Sequence, residues 1–296
     1  MTKTNLLILL FLCLFTPSIV LAQADHVLWY DHPATYFEET LVLGNGTVGA
    51  SVFGGVNSDK IYLNDITLWS GEPVKPNPNR ESYKAVAEIR KALNEENYLL
   101  ADKLQRKLQG SYSQAYMPLG TIFINFEKQG AVTKYYRELD LSKAMAKVTY
   151  ECNGVMYTRE YFVSHPDKVM AIRLTADKKQ SINCSINFES LMKFEIQNNN
   201  NVLEVNGYAP YRARPNYIQN EKDPVAFDKK RGTRFTSLFK IKHKDGAIKA
   251  TDSTLVLSKC SEATVYVSIA TSFNGFDKNP ATEGKDNQEI ARNNLN

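Results

Sequence analysis

Gly44, Gly46 and Gly49 stand at the spacing G-x-G-x-x-G within LGNGTVGASVFGG, residues 43–55. That pattern lets backbone amides cradle the pyrophosphate of a dinucleotide, provided a strand precedes the glycines and a helix follows them. A strand can precede, over residues 40–43. No helix can follow, because Val52, Phe53, Gly54 and Gly55 run into a turn at Asn57-Ser58. Asp65 sits at a suitable distance to hold a ribose, but the chain between Gly49 and Asp65 reads as strand, turn, strand. The glycines are therefore expected to give tight turning and close backbone approach in a β-structure. A dehydrogenase is rejected.

Other chemistry-bearing residues are scattered. His26, His32, His165 and His243 show neither H-x-H nor H-E-x-x-H spacing, so no metal site is expected. Cys152, Cys184 and Cys260 form no C-x-x-C pair. One disulfide or three buried thiols fit them equally. A net charge of +4 over 296 residues is too balanced to imply a nucleic-acid partner.

The elements that must position these residues are mostly extended. Residues 1–24 read as a secretory signal peptide: Lys3, an apolar run from Leu6 to Phe15, a break at Thr16-Pro17-Ser18, and Ala22-Gln23-Ala24 for cleavage. The run is too short to span a bilayer. Export to the periplasm or outside the cell is the expectation, with no membrane partner after cleavage. The remaining length suits one large all-β domain or two ordinary ones. KIYLND, TIFINFE, KVMAIRLTA, SINCSINFES, STLVLS and ATVYVSIATSF alternate with period two. Asn153-Gly154 and Asp245-Gly246 can both take positive φ and suit type I′ hairpin turns. So many strands joined by short turns predict a mainly β protein, a β-sandwich rather than a βαβ fold.

Residues 81–109 depart from this texture as a short helical insertion. Val86, Ile89 and Leu93 form one stripe and Leu100, Leu104 and Leu108 another, with Asn94 as the expected N-cap between two helices and Gly110 as the closing residue. The pair is expected to pack across a sheet face; a partner-binding pair is the alternative. Residues 72–80 hold three prolines and must be extended. Residues 208–234 form a long aromatic, basic loop in which Arg212, Arg214, Lys229, Lys230, Arg231 and Arg234 could meet an anion or simply face solvent.

Taken whole, LWYDHPATYFEETLVLGNGTVGASVFGGVNSDKIYLNDITLWSGEP, residues 28–73, resembles the N-terminal signature of glycoside hydrolase family 95, the exported α-L-fucosidases. Pro33-Ala34, Gly44-Asn45-Gly46, Gly49, Asn64, Asp65, Thr67-Leu68-Trp69-Ser70-Gly71 and Pro73 carry the resemblance. Phe37, Val42 and Thr47 depart from it, standing where tryptophan, proline and arginine are usual, which points to a divergent member. YMPLGTIFINF (116–126), YYRELDLSKAMAKVTYECNGVMYTREYFVSHPDKVMAIRLTA (135–176), RGTRF (231–235) and ATSFNGFD (270–277) extend the similarity over nearly the whole chain. The resemblance implies a large antiparallel β-sandwich, a super-sandwich, over residues 25–280. It further implies that residues 281–296 start a helical linker to an (α/α)6 barrel that carries the catalytic groups; Glu289 to Leu295 look like an opening helix with no packing partner. The full enzyme would remove terminal α-L-fucosyl, or α-L-galactosyl, groups by inversion without a cofactor. The partners implied are fucosylated glycans and, within the chain, the barrel.

Inverting hydrolysis needs two carboxyl groups about 6.5–9.5 Å apart, one of them protonated. The candidates here are Asp31, Glu38, Glu39, Asp65 and Glu72, and they are expected to be turn and surface acids, so that no catalytic residue lies in this chain. Sugar contact is the milder expectation. Trp69 can offer an aromatic platform and Asn45 a polar group; the structural alternatives are an interface or core role for Trp69 and a positive-φ turn role for Asn45. The rival reading is a free-standing carbohydrate-binding protein.

Overall fold

Alternation of apolar and polar residues sets the architecture, because a period of two sends every second side chain to the same face of a strand. The protein is described here from a computed structural model that covers residues 26–74, 80–110, 113–127, 130–217 and 222–296. The expected signal peptide and the centre of the proline-rich loop lie outside the described residues.

Eighteen strands are present among the described residues: β1 Val27–Tyr30, β2 Leu41–Gly44, β3 Val48–Val52, β4 Ser58–Asp65, β5 Gly120–Phe126, β6 Val132–Asp140, β7 Met145–Cys152, β8 Val155–Val163, β9 Val169–Ala176, β10 Ile182–Glu189, β11 Lys193–Asn199, β12 Val202–Tyr208, β13 Arg212–Ala213, β14 Val225–Ala226, β15 Arg234–Lys244, β16 Ala247–Ala250, β17 Thr254–Cys260 and β18 Glu262–Thr271. They build a nine-stranded sheet, in the order β1-β6-β7-β8-β9-β18-β15-β12-β11, and a seven-stranded sheet, in the order β16-β17-β10-β5-β4-β3-β2. All strand pairings within them are antiparallel. The inner faces share one core that includes Ile61, Leu63, Ile122 and Ile186 from the smaller sheet and Val148, Tyr161, Ile172 and Phe239 from the larger. Each such aliphatic side chain contributes roughly 1.5–3 kcal/mol on full burial. The expected antiparallel β-sandwich is therefore present.

The hairpin turns fall where the dipeptides placed them. Asn153 and Gly154 have φ of 52° and 67°, and Asp245 and Gly246 have 58° and 65°. Gly49 lies inside β3, paired with Gly44, so no helix follows the glycine motif.

A charged group is buried inside the sandwich. Asp59 on β4 accepts from the Gly54 amide at 2.8 Å and from the Tyr161 hydroxyl, and lies 3.3 Å from the Arg159 guanidinium. Arg159 sits between the rings of Phe126 and Tyr150, at 5.0 and 5.3 Å. Nearby, Arg137 donates to the carbonyls of His32 and Glu39, both at 2.7 Å, and so fixes the segment between β1 and β2 to the larger sheet. Cys152, Cys184 and Cys260 are all buried free thiols, which settles the choice left open between thiols and a disulfide. Burial pushes the Cys184 thiol up to about 12.

The helical insertion comprises α1, Ala85–Asn94, and α2, Tyr98–Gln105, flanked by short 3-10 turns at Ser82–Lys84 and Arg106–Leu108. Three expectations about it are corrected. The N-cap of α2 is Asn97, whose side chain accepts from the Leu100 amide, and not Asn94, which is the last residue of α1. The chain leaves the helical region at Gln109, ahead of Gly110. The helices pack chiefly on each other and not across a sheet. Their buried residues are Ala85, Ala92 and Ala101, small enough to let the backbones approach, while Leu93, Leu99, Leu100 and Leu108 remain exposed.

A third helix, α3, Asn287–Asn293, does have a packing partner. It lies on the outer face of the larger sheet, where Ala291 packs with Leu238 and Ala270. Asp286 caps it by accepting from the Glu289 amide.

Candidate functional site

The glycine turn joins β2 to β3 and uses its polar groups internally. Asn45 Oδ1 accepts from the amides of Thr47 and Val48, at 2.9 and 2.8 Å, and Asn45 Nδ2 donates to the Ser164 carbonyl at 2.9 Å. Two amides that a phosphate would require are thus taken. Positive φ belongs to Gly46, at 89°, and not to Asn45, whose part in the turn is played by its side chain. Gly49 is required by packing: a Cβ there would stand 2.2 Å from Asn64 Oδ1.

The turn after β4 sits beside it, joined by the bond from the Ile66 amide to the Thr47 carbonyl at 2.9 Å. Asp65 is buried and accepts from the Thr67 amide at 2.8 Å and from its hydroxyl. Burial raises its pKa above the ordinary value, against the pull of these two bonds. Trp69 donates its indole N–H to the Ile66 carbonyl at 2.8 Å and meets Tyr116 edge-on, with ring centroids 6.0 Å apart. The indole is 43% exposed, so Trp69 is not a core residue. It borders an open cavity of about 620 Å³ with Phe273 and Phe276, the latter 89% exposed. Glu72, Gln114 and Lys278 supply polar groups at its edge. Asn45 and Trp69 thus belong to adjoining turns, but only Trp69 opens on this cavity.

The remaining acids have local duties. Glu72 is ion-paired with Arg231, whose guanidinium lies 3.8 Å from the centre of the Tyr211 ring. Glu39 accepts from the Thr35 amide and hydroxyl at 2.8 and 3.0 Å, and the Thr35 amide is the main reason its pKa is lowered. Asp31 is exposed and bonded to His32 at 2.7 Å. Glu38 is exposed in the short 3-10 turn Phe37–Glu39.

The basic loop is more ordered than its composition suggested. Within it, β13 and β14 pair as a short ribbon, and residues 218–221 lie outside the description. Four of its cations are engaged: Arg231 by Glu72, Lys229 by Glu195 at 3.3 Å, Arg212 by the Asp223 carbonyl at 3.0 Å, and Arg234 by the Lys229 carbonyl. No group of His, Cys, Asp and Glu able to hold a metal occurs among the described residues, and none of their helices is long and apolar enough to cross a membrane.

Phe273 and Phe276 were missed as site residues by sequence reasoning. The available signal was SFNGFD itself, two aromatics around Asn-Gly immediately after a strand, where a turn must expose them.

Known proteins resemble this chain as follows. An α-L-fucosidase 2 from Arabidopsis thaliana is 28% identical over 257 residues, covering 84% of this chain and 30% of that protein. A probable α-fucosidase A from Aspergillus oryzae is 26% identical over 174 residues, covering 56% of this chain and 24% of its own length. The chain therefore spans less than a third of these relatives. Among solved structures, a putative kojibiose phosphorylase from the human microbiome superposes with a TM-score of 0.51 at 12% identity, covering 92% of this chain and 35% of that one, a likeness of fold alone. The N-terminal, non-barrel part of a glycoside hydrolase that the signature motifs implied is what these similarities describe. With a family match running from residue 28 to residue 275, this protein belongs to the family described as glycosyl hydrolase family 65, N-terminal domain.

Proposed function

We propose that this chain is the non-catalytic β-sandwich portion of an exported, family 95-like α-L-fucosidase. The whole enzyme would hydrolyse terminal α-L-fucosyl linkages with inversion, on groups that lie outside this chain. The observation that carries the reading is the alignment of 84% of this chain with less than a third of a protein named α-L-fucosidase 2. The signature from Pro33 to Pro73 supports family 95 within that group, and the run Leu6 to Phe15 followed by Ala22-Gln23-Ala24 supports export.

The sandwich would brace the catalytic barrel. Ile66, Trp69, Val74, Phe273 and Phe276 form an exposed apolar end suited to docking it. Apolar clusters of this kind mark interaction surfaces. Trp69 would then shape the cleft from the sandwich side, with Asn45 holding the turn beside it.

Two assays test this. The 296-residue chain alone is expected to release no L-fucose from 2′-fucosyllactose, while the full-length gene product releases it first as the β-anomer. Fucose release by the chain alone overturns the non-catalytic assignment. Phosphorolysis of kojibiose by the full-length product, with no fucose release, overturns the fucosidase assignment.

A further inference from the structure

A second concave surface lies on the outer face of the seven-stranded sheet. The registers align Val42, Ser51, Tyr62, Thr121 and Glu189 in one row across β2, β3, β4, β5 and β10. All five side chains point outward, because their neighbours along each strand, such as Leu41, Val52, Ile61, Ile122 and Phe188, are buried in the core. With strands about 4.8 Å apart, such a row spans roughly 19 Å. It forms the floor of a groove of about 760 Å³.

The lining has a definite chemistry. Tyr62 supplies a half-buried ring at the centre of the row, held from below by Phe53 at 5.0 Å between centroids. Phe37 stands to one side with its ring inclined only 22° to that of Tyr62. Tyr116 closes another side and separates the groove from the Trp69 cavity. Asn64 also lines the groove, its side chain lying over Gly49. The side-chain oxygens of Ser51, Thr121 and Glu189 find no partner among the described residues. Lys60, on the same face of β4, stands at the margin with its Nζ 5.0 Å from the centre of the Tyr62 ring.

Aromatic rings set among free hydroxyls and a carboxylate, in a cavity of ordinary ligand size, match the apolar faces and hydroxyl edges of a sugar chain. A docking surface would be made differently, since Ser and Glu are depleted at the centres of protein interfaces. The Glu189 carboxylate among the lining groups disfavours an acidic glycan. We infer that this groove binds a neutral oligosaccharide across β2 to β10, with Tyr62 as its stacking platform. The inference does not depend on which bond the full enzyme cuts.

Heteronuclear NMR titration of the 296-residue chain tests it, with 2′-fucosyllactose and maltotriose as neutral probes and 3′-sialyllactose as an acidic one. Saturable shifts centred on Ser51, Tyr62 and Thr121 with at least one neutral probe, and weaker binding of the acidic one, are expected. Tyr62→Ala is expected to weaken binding about tenfold or more through loss of the ring contact. Ser51→Arg, which fills the groove from an outward-facing position and spares the core, is expected to abolish it with the melting temperature unchanged. Leu99→Ala, at an exposed position of the helical insertion outside the groove, is expected to leave it intact. Absence of saturable binding with both neutral probes overturns the inference, as does binding that survives Ser51→Arg or disappears with Leu99→Ala. The fucose-release assay decides the hydrolase reading separately.

Discussion

Arg292 of α3 donates to both carboxylate oxygens of Glu204 on β12, at 3.0 and 3.2 Å, and so ties the last helix to the outer face of the nine-stranded sheet. Glu204 is buried and Arg292 half-exposed. Burial opposes ionisation of Glu204, but the Asn206 amide and the Arg292 guanidinium outweigh it and hold the pKa below its ordinary value. The pair therefore stabilises docking above the ordinary Glu range, near about pH 4.3, and its contribution is lost as pH falls through the lower folded value. Arg292→Ala is expected to cost about 1 kcal/mol, a modest sum because the arginine is partly solvated. Faster hydrogen exchange confined to α3 would register it; uniform exchange through the whole chain would contradict it.

Asp59 and Arg159 should respond more severely. Removing one partner leaves a buried charge uncompensated, so Asp59→Ala is expected to cost about 3–5 kcal/mol. Adding Arg159→Met to that variant removes the orphaned charge and is expected to restore part of the loss. Urea denaturation of the single and double variants provides the check, and a double variant weaker than the single one would refute the account.

Asp65 gives a pH dependence of opposite sign to that of Glu204. Its raised folded pKa means that the folded chain holds a proton which the unfolded chain releases. Stability is therefore lost as pH rises from the ordinary Asp range through the folded value. Asp65→Asn keeps an oxygen for both Thr67 donors and removes the charge. Its melting temperature relative to the parent is expected to climb as pH rises above the ordinary Asp value of about 3.9; a constant offset would count against burial as the cause.

Asn45 and Trp69 should separate cleanly. Asn45→Ala removes two accepted bonds and one donated bond, which at a net of about 0.5–1.5 kcal/mol each predicts a loss of roughly 1.5–4.5 kcal/mol. Trp69→Ala should change the stability of this chain far less, because the indole is partly solvated, yet lower the melting temperature and alter the kinetics of the full-length protein. Equal losses from both substitutions in the isolated chain would remove the distinction.

Much of the fold is legible in the residues, because a period of two and an Asn-Gly or Asp-Gly turn are local properties. KIYLND and TIFINFE state which side chains face inward, and the structure agrees at Ile61, Leu63, Ile122 and Ile124. Long-range pairing is not local. Nothing in β9 announces β18 as its neighbour, more than eighty residues away. The helix pair misled for a related reason: its leucines dominate any apolar stripe, whereas close approach selected its alanines. The site divides in the same way. Trp69 was legible as an aromatic beside polar residues, but Tyr62 becomes significant only when five strands set it among Ser51, Thr121 and Glu189. Asp59 was passed over although it shares a phase with Ile61 and Leu63, because its counter-ion lies on β8, about a hundred positions along the chain.

That phase has a consequence for how β4 can dock. Sliding it by a single position would swing Lys60 and Tyr62 into the hydrocarbon interior and carry Asp59 out to water. Arg159, enclosed by Phe126 and Tyr150, would be left with no anion. The salt bridge thus acts as a key cut for one alignment of the two halves, and a misthreaded sandwich is penalised at the charge before any methyl group is misplaced.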